Sequence, residues 1–271
     1  MRIVLPECGL GDALALTAAI REYHVSHPWE PVEVQAGPHA EVFRGNPHVT
    51  SDPNVKHRHE VKLETELHGN VGGIAVSFGI QLGIRVQDTT PELWGWKPEA
   101  IRPRFTVALD VGARAPSRLW VPERWDEVVS RLAEWDIDCV GVGRGVRMHG
   151  NLPAAPRMVK GLAEDLSGTH DSVHQAAGFL SSCDLFLGVD SGGAHLAAAA
   201  GIPQVVLYSR SPWYSRAYWN TTPVYWPELC NPGQCDRVCT APAGVRCLDK
   251  IGALEVVRAV RLTLDRYPRR K

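Results

Sequence analysis

No stretch of this 271-residue chain stays apolar long enough to cross a membrane. Its opening, Met1-Arg2-Ile3-Val4-Leu5-Pro6, lacks the long apolar core of a signal peptide and reads as a strand. An excess of charge is also missing: the net charge is −1 at pH 7, so the overall balance draws the chain neither to nucleic acid nor to an anionic lipid surface. There is no repeat of solenoid period and no low-complexity tract, which removes repeat arrays from consideration. What remains is the composition of a globular protein, 44% hydrophobic and 22% charged, of a length that suits one large or two modest domains. The expected location is the cytoplasm.

Seven cysteines fall into two groups. Cys8, Cys139 and Cys183 sit singly among apolar neighbours and read as buried thiols. Cys230, Cys235, Cys239 and Cys247 lie close together with the spacing C-x4-C-x3-C-x7-C, compact enough for one tetrahedral thiolate site but unlike the usual zinc spacings. A structural zinc or iron, or thiols that pin a loop, are the two readings. Stable disulfides are disfavoured in a reducing compartment.

Residues 1–36 read as strand, loop, helix and strand. Leu16, Ala19, Ile20 and Tyr23 recur at helical spacing and give the helix one apolar face. A short helix is expected near Ala40 to Phe43, and the histidine-rich segment 48–70, with His48, His57, His59 and His68, as a solvated loop or exposed helix. Prolines between residues 88 and 103 mark a connection, dividing the chain into a first domain, 1–98, and a second, 99–271. Beyond it, strands are expected at Phe105 to Leu109, Cys139 to Val142, Leu185 to Val189 and Gln204 to Tyr208. Helices are expected from Pro122 (Trp125, Val128, Val129, Leu132 and Trp135 on one face), over Ser172 to Ser181, from Ala194 and over Leu254 to Leu264. Strands alternating with helices predict an α/β fold with a parallel sheet covered on both faces.

Three loops at strand ends carry the chemistry. In the third, Gly188-Val189-Asp190-Ser191-Gly192-Gly193-Ala194-His195, a strand runs straight into a helix. The free amides of a helix start attract anions, and Gly192 and Gly193 put no Cβ in the way of a phosphate. The competing reading is a tight turn capped by Asp190 or Ser191. In the first loop, Gly9-Leu10-Gly11 begins like a dinucleotide fingerprint, but Leu14 stands where the third glycine belongs, which disfavours an NAD-dependent oxidoreductase. Asp12 falls at a helix N-terminus, where the dipole favours its ionised form. It serves either as a general base facing a cleft or as a helix cap. The second loop, 112–122, brings Arg114 and Arg118, whose planar guanidinium forks suit phosphate oxygens or, alternatively, solvent. The aromatic run from Trp213 and Tyr214 through Tyr218, Trp219, Tyr225 and Trp226 either stacks on a ligand ring or forms a small core of its own.

In this order the segments resemble the heptosyltransferase family, the inverting GT-B glycosyltransferases typified by ADP-heptose:lipopolysaccharide heptosyltransferases. Four matches carry the resemblance: Gly9-Leu10-Gly11-Asp12-Ala13-Leu14; Pro116-Ser117-Arg118-Leu119-Trp120; the Asp190-Ser191-Gly192-Gly193 loop with His195; and the tail from Cys239 to Cys247-Leu248-Asp249-Lys250-Ile251. The resemblance implies two Rossmann-like domains with parallel sheets facing across a cleft, and transfer of a sugar from a nucleoside-diphosphate donor, ADP-heptose or another, to a glycan or small acceptor. It implies Asp12 as catalytic base and Arg118 in place of the family's phosphate-binding lysine. Gly11, Ser117, Asp190, Ser191, Gly192, Gly193 and His195 are implied around the donor, with no metal or cofactor required for the chemistry. The first domain is shorter than in the lipopolysaccharide enzymes, so the acceptor stays open, as does a non-catalytic protein of the same fold that only binds sugar nucleotides. The resemblance also admits a peripheral position at the inner membrane.

Overall fold

The structure, a computed structural model, describes residues 1–6, 8–52, 60–64, 73–113, 115–143, 158–209, 213–226 and 247–269. Strand β1 (Arg2–Val4) leads into helix α1 (Leu10–Ser26), then β2 (Glu33–Gln35), a 3-10 segment (Gly37–Phe43), β3 (Glu60–Lys62) and α2 (Ile74–Gln81). The three strands form a parallel sheet in the order β2-β1-β3. α1 is buried on nearly every side, from Ala13 through Ile20, because it lies between this sheet, α2 and a helix of the second half. Small side chains, Ala13, Ala15, Ala18 and Ala19, allow that close approach.

The second half comprises β4 (Thr106–Asp110), α3 (Pro122–Ala133), β5 (Asp138–Gly141), β6 (Glu164–Asp165), α4 (Val173–Ser182), β7 (Leu185–Val189), α5 (Gly192–Ala199), β8 (Gln204–Tyr208), β9 (Thr221–Tyr225), α6 (Cys247–Lys250) and α7 (Ala253–Arg266). Its six parallel strands run β6-β5-β4-β7-β8-β9. Chain order reverses between β4 and β7, and a doubly wound sheet binds ligands outside the carboxyl ends of its strands at that point. β4, β7 and β8 are buried throughout, as central strands covered on both faces must be. Alternate residues point to opposite faces. Leu185, Leu187 and Val189 pack with Val107, Leu109 and α3 and α7 residues such as Trp125 and Val257. Phe186, Ala108 and Val206 face a second core that continues through α5 into α1, β1 and α2.

The sequence expectations hold for α1, α4, β7, β8 and α7, and shift elsewhere. α5 starts two residues early, and Ser191 rather than Asp190 caps it, accepting the Gly193 amide at 3.2 Å. β4 ends on Asp110 rather than Leu109. α3 stops at Ala133, so Trp135 leaves the helix face, 41% exposed with Arg261 5.3 Å from its ring. The histidine-rich segment contains an unforeseen strand, β3, whose single apolar residue, Val61, gives no alternation to read.

Candidate functional site: a crevice at the sheet's switch point

Two helix N-termini meet beside the β4–β7 switch point. Leu10, first residue of α1, lies so close to α5 that a Cβ on Gly192 would sit 3.0 Å from the Leu10 Cβ. One residue on, a Cβ on Gly11 would fall 2.6 Å from His195 Cδ2 and 2.8 Å from its Nε2. Real Cβ atoms do not approach that closely, so Gly11 is required by the imidazole packed against it. The space beside Gly193 is taken by the Asp110 carboxylate, 2.3 Å from where a Cβ would stand. These glycines therefore make room for neighbouring protein groups, whereas the sequence reading gave Gly192 and Gly193 open faces for a phosphate. What they leave to an anion is the amides and dipoles of two helix starts.

Asp12 stands at the third position of α1, and its Oδ2 accepts the Gly9 amide at 2.7 Å. It thus caps α1 and faces the crevice at once, within electrostatic reach of His195, Tyr218 and Arg216. His195 is buried, and its Nδ1 pairs with the Tyr218 hydroxyl. Burial drives the imidazole well below its ordinary value, against the pull of Asp190, and drives the Tyr218 phenol up. Between a neutral histidine and a protonated phenol this contact carries one proton, and when the phenol donates it the ring proton lies on Nε2, the edge facing Gly11.

Asp190, 3% exposed, is the hub of two guanidinium groups. Arg216 Nη1 donates to its Oδ2 at 3.1 Å. Arg118 donates from Nη1 to the Asp190 carbonyl at 3.1 Å and holds Nε 3.6 Å from Oδ2. Two guanidinium groups on one carboxylate leave these three side chains net positive, a charge that Asp12 offsets within the same crevice. The sequence reading missed Arg216, which sits within the aromatic run. Of the two readings of that run, a ligand-stacking surface or a small core of its own, the contacts present are internal: Tyr218 bonds His195, and Trp213 packs against Tyr214 and Tyr225, 6.0 and 5.6 Å between centroids. Ser117, in the 3-10 turn Pro116–Arg118, is buried, and among the described residues neither its Oγ nor Arg118 Nε has a hydrogen-bond partner. Unsatisfied buried polar atoms are costly, and these two lie on the loop that supplies Arg118 to the crevice.

The Ser191 hydroxyl is fully engaged: it accepts from Gly193 and donates to Asp110 Oδ2 at 3.2 Å. Asp110 was also missed, as the last residue of an apolar strand. Arg114 lies outside the described residues, as do Cys230, Cys235 and Cys239. Cys247 is buried, its thiol donating to the Ser209 carbonyl at 2.7 Å. Among the described residues, no group of three or more histidine, cysteine, aspartate or glutamate side chains is set to hold a metal. Of the scattered cysteines, Cys139 and Cys183 are buried and Cys8 half-buried. Two of the resemblance motifs pack together away from the crevice: Trp120 donates to the carbonyls of Leu248 and Ile251 at 3.1 and 3.2 Å, and Arg124 bonds the Asp249 and Ile251 carbonyls.

A cavity of about 100 Å³ opens next to the crevice, lined from the first half by Ala15, Ile74, Ala75 and Thr89 and from the second by His195 and Tyr218. Ala15 stands one turn after Asp12 on the same side of α1.

A family model described as glycosyltransferase family 9 (heptosyltransferase) matches residues 84–226, just over half of the chain and the segment that includes Arg118, Asp190, His195 and Arg216. The chain belongs to this family. It is a glycosyltransferase with the α/β architecture of the GT-B heptosyltransferases. Among solved structures it is similar to TibC, an iron-containing dodecameric glycosyltransferase from enterotoxigenic E. coli H10407, with 17% identity and a TM-score of 0.82 over 98% of this chain and 76% of that one; TibC has also been solved with ADP-D-β-D-heptose. A family 9 glycosyl transferase from Veillonella parvula DSM 2008 follows at 15% identity, TM-score 0.70, covering 98% and 97% of the two chains. E. coli WaaC with ADP-2-deoxy-2-fluoro heptose follows at 16% identity, TM-score 0.63, covering 97% and 99%. No curated protein sequence matches the chain. In this glycosyltransferase, no helix among the described residues is long and apolar enough to cross a membrane.

Proposed function

We propose that this glycosyltransferase transfers a sugar, heptose by likeness to its structural neighbours, from a nucleoside-diphosphate donor to an acceptor hydroxyl with inversion at the anomeric carbon. The observation that carries the reading is the convergence of two helix N-termini with Arg118 and Arg216 on one crevice at the switch point of the sheet. The α5 amides, the Ser117 hydroxyl and Arg118 hold the diphosphate, with Asp190 fixing both guanidinium groups and His195 presenting Nε2–H. Asp12, oriented by the Gly9 amide, takes the proton from the acceptor hydroxyl. The acceptor oxygen attacks the anomeric carbon from the face opposite the diphosphate, and the bond to the phosphate oxygen breaks, its electron pair leaving with the nucleoside diphosphate. That developing charge is what preorganised guanidinium groups and helix N-termini stabilise. The 100 Å³ cavity lined by Ala15, one turn along α1 from Asp12, and by His195 is the approach for a glycan or small acceptor.

The division between acceptor-side and donor-side domains falls at residues 98 and 99, within a stretch from 82 to 105 that carries no strand or helix. The reaction is assigned to the cytoplasm, either free or at the inner face of a membrane. A structural zinc or iron on the cysteines from Cys230 to Cys247 remains part of the reading, supported by the iron of TibC; metal analysis of the purified protein decides it.

Screening ADP- and UDP-sugars by thermal stabilisation identifies the donor. Asp12→Ala is expected to abolish transfer while donor affinity, measured by calorimetry, stays within a few-fold of wild type. A donor that binds but is neither transferred nor hydrolysed with any acceptor by the wild-type protein would favour a binding protein without catalysis.

A further inference from the structure

Asp110 is a buried carboxylate that the transfer chemistry above does not use. It ends β4 at the switch point, accepts the Gly112 amide at Oδ1 (3.0 Å) and takes the Ser191 hydroxyl at Oδ2 (3.2 Å). Glycines from two further strand ends close around it. A Cβ on Gly143, after β5, would stand 2.5 Å from Oδ1, and one on Gly193, at the start of α5, 2.3 Å from Oδ2. No cation among the described residues pairs with it. The charged cluster at Asp190, the neighbour of Ser191, already holds Arg118 and Arg216; Phe186, which also borders Gly193, is apolar. Among the described residues this negative group therefore has hydrogen-bond donors but no cation, at the start of α5 and among the donors that a diphosphate would use.

We propose that Asp110 is a positioning residue that couples donor binding to the uptake of one proton, by deciding where the Ser191 hydroxyl points. The inference rests on the reading of this crevice as the diphosphate site. While Asp110 is ionised, the single hydroxyl proton of Ser191 must go to Oδ2, since Ser191 Oγ already accepts from the Gly193 amide. When Asp110 takes a proton from solvent, the carboxylic acid becomes the donor and Ser191 Oγ the acceptor. The Ser191 proton is then released to turn toward a phosphate oxygen. An arriving dianion favours this state, because a like charge nearby raises the affinity of a carboxylate for its proton. Burial has already moved Asp110 in that direction, up to about 6. On release of the nucleoside diphosphate, the proton returns to solvent.

The test is isothermal calorimetry with ADP-heptose, whose two phosphates are both esterified and do not titrate near neutrality, repeated in buffers of different ionisation enthalpy. Wild type is expected to take up close to one proton per donor near neutral pH, and its affinity to fall roughly thirtyfold from about pH 6 to about pH 8. In Asp110→Asn the amide donates permanently to Ser191 Oγ. The variant is expected to bind as tightly at about pH 8 as wild type does at about pH 6, with no proton uptake. Should this variant not fold, the wild-type proton count decides alone. Binding without proton uptake, or the same uptake and pH dependence in Asp110→Asn, overturns the inference and leaves the donor site standing. ADP-heptose that binds neither protein at any pH overturns the donor reading and the inference together.

Discussion

His195 and Asp110 titrate in opposite senses, and the stability of the protein records both. Asp110 is raised from 3.8 to about 6, so the folded state holds the proton more firmly than the unfolded chain, and stability declines as pH rises through that window. His195 is depressed from 6.5, so below that value the unfolded chain binds the extra proton and stability declines as pH falls. The two slopes partly offset each other below about pH 6. Asp110→Asn is therefore expected to be more stable than wild type at pH 7 by about 1–3 kcal/mol, an advantage that shrinks toward pH 4 and leaves a steeper acid limb. Urea midpoints across pH measure both. Gly11 offers a steric counterpart: Gly11→Ala drives a methyl into the His195 ring and should cost about 1–3 kcal/mol by overpacking, with donor affinity falling alongside stability. These residues were unevenly legible. Asp12, Arg118 and His195 stand in recognisable loops, but Asp110 closes an ordinary apolar strand, and its role comes from Ser191, Gly143 and Gly193, which are distant in sequence. Arg216 was hidden for the same reason.

Helices and strands that bury an apolar pattern were read directly from the sequence. β7 is apolar along its whole length, and α4 begins with Ser172, which accepts the Gln175 amide at 3.2 Å. Elements that depend on a partner were not: β6 has two exposed residues and exists because it pairs with β5, and β9 is an edge strand containing Pro223. The tail of the chain belongs with this second group. α6 and the start of α7 are fastened by the Trp120 indole to two carbonyls, and the ring also packs edge-on against Trp125 at 4.6 Å. Trp120→Phe keeps most of the apolar area and removes the donor, so a loss of about 1–3 kcal/mol is expected. Hydrogen exchange should locate the loosening in residues 247–260, with donor affinity less affected than stability. The sequence motif around Trp120 thus combines two tasks, since Arg118 reaches Asp190 in the crevice and Trp120 faces the tail.

The protein has two sheets, but its apolar interior does not divide between them. The core that contains Ile3, Leu16 and Phe78 also contains Ala108, Phe186 and Val206. Arg21 adds polar ties from α1 to the connection, reaching Glu92 at 2.9 Å and the Asp88 carbonyl at 2.7 Å. A single cooperative unfolding transition is therefore expected, with fluorescence and circular dichroism coincident; two separated transitions would show the halves to be independent. A saturating donor should raise the stability of the whole chain, by about 2.7 kcal/mol at a hundred times its Kd. The contact between Gly11 and His195 has a further consequence, for descent. The two positions lie in different halves of the chain yet share one volume, so they are not free to change separately. Any relative with a side chain at the position of Gly11 must carry something smaller than imidazole at that of His195, and an alignment of the family can be searched for that paired exchange.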